Sequence, residues 1–153
     1  MKQRAAYVLF ILLSLTWGLP MTLVGAAVCL AVRLDGVRPR RFGPCLYMTV
    51  GAHWGGLSLG PFLFTDPHAP AHTLLHESGH AVQDVLFGPA MPLLVSLPSA
   101  ARYWLRALGE RRGRVFRRGY EDVWFERQAT RLGFRCFGTL VRPPRRRKNG
   151  SAV

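Results

Sequence analysis

His76-Glu77-Ser78-Gly79-His80 sets two imidazoles four residues apart with a carboxylate between them. On an α-helix, residues four apart share a face, so both rings can bind one small cation. Glu77 lies one step around from His76 and suits a general base. It can take a proton from water polarised by the cation instead of binding the cation itself. Thr73, Leu74 and Leu75 before the motif and Ala81 and Val82 after it carry no charge. This apolar setting distinguishes the motif from chance matches, which fall on charged surface helices.

Catalytic zinc takes three protein ligands and keeps one position open. Three and six residues past His80 stand Gln83 and Leu86, so the longer motifs with a third histidine nearby are absent. The third ligand must come from elsewhere. Glu126, within Trp124-Phe125-Glu126-Arg127-Gln128-Ala129, is the strongest candidate, because a carboxylate on an apolar, aromatic helix face needs a partner. An ion pair with Arg127 or Arg131 is its plainer alternative. Glu110, Glu121 and Asp122 sit in charged, solvated segments and rank below it.

His72 shares the motif face and suits either orienting a ligand or opening the helix. Asp84, four past His80, is placed to accept that ring's N–H or to face solvent. His53 and His68 receive no role. Cys29, Cys45 and Cys136 are far apart and odd in number, and read as reduced, mostly buried thiols. The expected cofactor is one zinc ion on His76, His80 and Glu126, with Glu77 as the catalytic base.

The elements that must position these groups divide the 153 residues into three parts. Residues 1–41 read as an N-terminal transmembrane segment and basic linker, 42–135 as a zincin-like membrane-associated domain, and 136–153 as a basic, disordered tail. Residues 5–32 carry no charge, long enough for a helix to cross a core of ~30 Å, with Pro20 kinking it. A cleaved signal peptide ending near Gly25 and Ala27 is the competing view. The length of the run and the four arginines that follow favour a retained anchor.

Residues 42–65, rich in Gly and aromatics, predict two short strands or a hairpin. Pro70 opens the motif helix, which should stop near Gly88-Pro89. Residues 90–105 are apolar with Pro92 and Pro98 inside, so they cross the membrane, lie in its interface or re-enter. Residues 106–118 read as a solvated basic linker. Residues 120–132 predict a helix with acidic residues at its start and Gly133 as its stop. The fold class is thus a mainly α membrane protein with a short β-hairpin, its motif helix completed by a later ligand helix.

The formal charge of +13 is segregated, and no Arg or Lys occurs from Phe42 to Ala101. A globular nucleic-acid binder rarely sorts charge this way, whereas basic flanks on a membrane protein do. Membrane lipid and a peptide or protein substrate are the expected partners, and nucleic acid is not. The Arg-rich C-terminal region should be cytoplasmic. The motif helix and Glu126 must meet although residues 90–105 lie between them. That requires a re-entrant segment or a site close to the cytoplasmic interface.

With its ligand pattern the chain resembles zincins that take two histidines from HExxH and a glutamate from a later helix. It resembles more closely a family of small bacterial integral membrane proteins with a peptidase-like motif. The resemblance runs over most of the chain except the basic tail. It rests on Leu15-Thr16-Trp17-Gly18-Leu19-Pro20, Gly55-Gly56-Leu57-Ser58-Leu59-Gly60 and His76-Glu77-Ser78-Gly79-His80. Leu86-Phe87-Gly88-Pro89, Leu97-Pro98-Ser99 and Phe125-Glu126 with Ala129, Leu132 and Gly133 complete it.

The resemblance implies a zinc metallopeptidase-like unit integral to the bacterial cytoplasmic membrane and names no substrate. Zincins of this type often carry Asp shortly after the ligand glutamate, where this chain has Thr130, which implies weaker support of a ligand. The rival expectation is a non-catalytic membrane protein. In it the same residues hold a structural or vestigial metal, and the Arg-rich surface binds a protein partner or anionic lipid.

Overall fold

Helices α1 (Lys2–Leu15) and α2 (Leu19–Leu34) open the chain where a single kinked helix was expected. They meet at 91° across a break at residues 16–18. Pro20 sits in the first turn of α2, where a missing N–H costs nothing, so it starts a helix instead of bending one. The computed structural model describes residues 2–52, 54–114 and 123–141. Among these, no single helix is long and apolar enough to cross a membrane, although two bent helix pairs are, taken together.

The expected hairpin is one half of a larger element. Strands β1 (Arg40–Phe42), β2 (Cys45–Thr49), β3 (Gly56–Leu59) and β4 (Phe62–Thr65) form a mixed sheet in the order β1-β2-β4-β3. β1 begins inside the stretch expected to be linker, pairing Phe42 with Cys45 across Gly43-Pro44. β2 and β4 run parallel and β3 pairs antiparallel with β4, which leaves β3 on the outer edge. Gly60 turns β3 into β4 at a φ of 59°, a conformation L side chains rarely adopt. A Cβ there would also press on the backbone of Thr22 in α2.

Helix α3 (Ala71–Phe87) carries the motif and ends as its sequence predicts, with Gly88 capping it at a φ of 53°. A 3-10 turn (Gly88–Ala90) and a π-helical turn (Pro92–Ser96) lead into α4 (Leu97–Arg111). The helical run Pro92–Arg111 is bent back on α3 by 118°. Arg106 to Arg111, expected to be linker, is the last part of α4. Helix α5 (Trp124–Phe137) starts later than the sequence suggests and runs through Gly133.

Gly133 is a contact and not a stop. A Cβ there would collide with the Leu75 carbonyl on α3, as one at Gly79 would with the Ala129 carbonyl on α5. Two glycines facing opposite helices thus let α3 and α5 approach at backbone distance. That approach brings His76 and His80 to Glu126.

Phe10, Phe42, Cys45, Leu63, Leu75 and Phe137 form the core beneath the sheet. Met21, Met91, Val95 and Phe125 form a second cluster beside the π-helical turn. Cys45 is buried, and burial pushes its thiol up to about 12, so it stays neutral and packs as an apolar group. Cys136, expected to be buried, is exposed, and all three thiols are free of disulfides. The expected disordered tail lies outside the described residues, apart from its first part, which closes α5 and forms a 3-10 turn (Gly138–Leu140).

Candidate metal centre

α3 presents His76 and His80 on one face, their rings edge to face with centroids 4.8 Å apart. α5 presents Glu126, fully buried, in its first turn. Its Oε2 lies 3.1 Å from His76 Nε2 and 3.2 Å from His80 Nε2. Two ligand atoms each 2.0–2.1 Å from one tetrahedral zinc lie about 3.3 Å apart. The three residues form a cluster that can hold a metal ion, and no other described His, Cys, Asp or Glu joins it.

The hydrogen bonds around the cluster call for a cation. Gln83 Nε2 donates to the Phe125 carbonyl and to Gln128 Oε1, both at 2.8 Å. Its Oε1 therefore faces His80 Nδ1, at 2.7 Å, and Nδ1 must carry the hydrogen. His80 Nε2 is left either with its lone pair aimed at a carboxylate or with a second proton. A lone pair facing a carboxylate is repulsive, so a positive species, proton or metal ion, belongs between them. Without the metal a proton serves, and the pKa shifts agree. Burial disfavours charge on His80, but Glu126 and Glu77 outweigh it and raise its pKa. Burial would likewise raise Glu126, yet hydrogen bonds from His76 and His80 hold it well below the carboxylate range.

The supporting partners come from three helices. His76 Nδ1 lies 2.9 Å from Thr130 Oγ1, so a hydroxyl on α5 holds this ring. Ser99, on α4, donates to Glu126 Oε1 at 2.5 Å. Asp84 does not accept from His80: it points away, toward Gly18, and Gln83 takes the expected role. In the sequence Gln83 is legible only as the residue that stands where a third histidine would. Its signal was a fully buried amide on the core side of the motif helix, visible only once α5 is in place.

Glu77 is buried beside the cluster but is not part of it. Its carboxylate rests against Gly56 of β3, where a Cβ would strike it, so the glycine makes room for the acid. Burial raises its pKa, partly opposed by His80 and His76. A carboxylate with raised affinity for protons is suited to base chemistry. His72 lies outside the cluster, one turn away from His76 and stacked on it at 6.5 Å. Glu110 pairs with Arg106 at 3.8 Å, His68 sits beside Asp66, and Glu121, Asp122 and His53 fall outside the described residues.

The candidate metal-binding cluster and Glu77 open onto a cavity of about 650 Å³, walled by β3 on one side and α4 on the other. Five consecutive residues, Gly55 through Leu59, line it. A sheet face would present alternate residues only, so the cavity meets the edge of β3 that no other described strand pairs with. Comparison with protein-family models, curated proteins and solved structures finds no match, so the evidence for what this chain does is its own geometry.

Proposed function

We propose that this protein is a membrane-associated zinc metallopeptidase. The observation that carries the reading is the division of labour on α3. Two histidines converge with Glu126 on one point, while Glu77 between them stays off that point and faces the same cavity. Two imidazoles and one carboxylate at tetrahedral spacing suit zinc. A zinc ion there would polarise a carbonyl and make water a competent nucleophile near neutral pH.

The chain's own residues supply the rest. The unpaired edge of β3 can take an extended peptide as an added strand, holding it by main-chain hydrogen bonds along the cavity. Glu77 takes the proton of the water whose oxygen adds to the scissile carbonyl carbon. It returns that proton to the amide nitrogen as the C–N bond breaks. Gln83 and Thr130 keep both imidazoles turned toward Glu126.

Exposed apolar residues on α1 and α2, among them Leu9, Leu12, Leu15, Leu23 and Val24, support membrane insertion of this bent pair. Exposed Leu97, Trp104, Leu105 and Leu108 on α4 support an interfacial position for that helix. The basic residues from Arg102 onward would face the cytoplasmic leaflet. This placement, like the resemblance to small bacterial membrane peptidase-like proteins, belongs to the proposal. A structural metal is the weaker reading, because structural zinc has four protein ligands and the cluster has three among the described residues, beside a cavity.

Glu77→Gln separates binding from chemistry. Zinc content should be unchanged and turnover of a quenched peptide library should fall by at least ~10²-fold, since shape is kept and the base is lost. Loss of zinc in this variant, or unchanged turnover, would contradict the assigned role.

A further inference from the structure

The cavity beside the metal cluster is walled for apolar side chains. Leu57 and Leu59 stand on the β3 side, Met91 and Val95 at its inner end, and Tyr103 and Trp104 on α4. Ser96 at the end of the π-helical turn and Ser99, Ala100, Tyr103 and Ala107 of α4 recur at helical spacing along the cavity, so the small residues leave space and the tyrosine bounds it. The Tyr103 hydroxyl reaches the Trp54 carbonyl at 3.5 Å, closing the wall between α4 and the segment before β3.

Charge is scarce along these walls. Apart from the histidines, Glu77 and Glu126, the charged lining residues among those described are Arg106 and Glu110, which pair with each other. A charged side chain seated here would lose its water without gaining a counter-charge. A leucine or phenylalanine side chain would instead move from water onto apolar surface.

Resting on the metallopeptidase reading, we infer that the site selects peptides with a bulky apolar side chain beside the scissile amide. The unpaired edge of β3 favours a peptide over a lipid acyl chain, because only a peptide can use its ladder groups.

The test uses full-length protein in detergent micelles, loaded with cobalt(II) so that binding is read from the visible spectrum instead of from turnover. Four probes are compared: acetohydroxamate, a leucyl peptidyl hydroxamate, its aspartyl counterpart, and an octanoyl hydroxamate without peptide groups. Acetohydroxamate should shift the spectrum, and the leucyl probe should bind about 10- to 100-fold tighter than the aspartyl one, the value of burying one such side chain.

Leu57→Asp and Tyr103→Asp, at part-exposed positions that tolerate substitution, should reduce this preference to under about threefold and leave acetohydroxamate binding alone. If acetohydroxamate binds but the leucyl and aspartyl probes bind equally, the side-chain preference is wrong and the metal site stands. An octanoyl probe as tight as the leucyl one would overturn the peptide assignment in favour of an acyl substrate. No spectral response to any hydroxamate would overturn the metallopeptidase reading and this inference with it.

Discussion

Glu126 and Asp84 are both buried carboxylates, within 1% of full burial, and they are treated in opposite ways. Glu126 meets two imidazoles and the Ser99 hydroxyl, and its charge is held. Asp84, on the other side of α3, meets no donor among the described residues at either oxygen. It lies against Gly18 at the break between α1 and α2, where a Cβ would collide with it. The nearby hydroxyls are already committed: Ser14 donates to the Phe10 carbonyl at 2.9 Å and Thr22 to the Ser14 carbonyl at 2.8 Å. Burial pushes the Asp84 carboxyl up to about 7. One helix thus carries a site built around a retained charge on one face and a contact that favours the neutral acid on another. Burial by itself does not set a carboxylate's state; the donors it meets do.

Substitutions at these two positions should therefore diverge. The largest effect falls on the charged side. Glu126→Gln replaces the shared ligand oxygen by a neutral amide, and zinc content after dialysis should fall from about one per chain to well under a tenth. If elemental analysis shows full occupancy in this variant, Glu126 is not a ligand.

One shell out, the effect should shrink. Gln83→Leu keeps volume but frees His80 Nδ1, so zinc affinity measured by chelator competition should weaken about 10- to 100-fold without loss of fold. An unchanged affinity would mean that the ring is oriented by packing alone.

The neutral side gives the smallest effect and a pH signature. The folded-state pKa of Asp84 is raised above the ordinary 3.8. Between about pH 4 and 7 the folded protein therefore keeps a proton that the unfolded chain has released. Stability must fall as pH rises through that window and level off above it. Asp84→Asn should remove this slope and leave the metal untouched, raising Tm at pH 8 by about 2–4 °C for each ~1 kcal/mol recovered. Parallel Tm–pH curves for variant and wild type would show that Asp84 is already solvated or paired.

The cluster that can hold a metal was legible because metal chemistry imposes a spacing on a single helix and an apolar face makes a lone carboxylate conspicuous. Gly88 was legible as a helix end for a local reason too, since a cap is written within a few residues. Gln83, Thr130 and Ser99 were not, because a polar side chain reads as solvated until the opposite helix is known. Gly133 misled for the same reason. A glycine near the end of a helical pattern reads as a stop, and only the Leu75 carbonyl pressed against it shows a contact. The β1–β2 pair was hidden by charge, with Arg40 and Arg41 forming a strand where basic residues suggested a linker. The bend between α1 and α2 depends on Gly18 seating against Asp84, 66 residues on in the chain, which no local pattern reveals.

Zinc K-edge X-ray absorption on protein purified without added metal tests the central claim most directly. The account predicts about one zinc per chain with two imidazole nitrogens and carboxylate oxygen at about 2.0–2.1 Å, one further light ligand, and no sulfur near 2.3 Å. A sulfur shell, a third imidazole, or protein that carries no zinc and takes none up would contradict it.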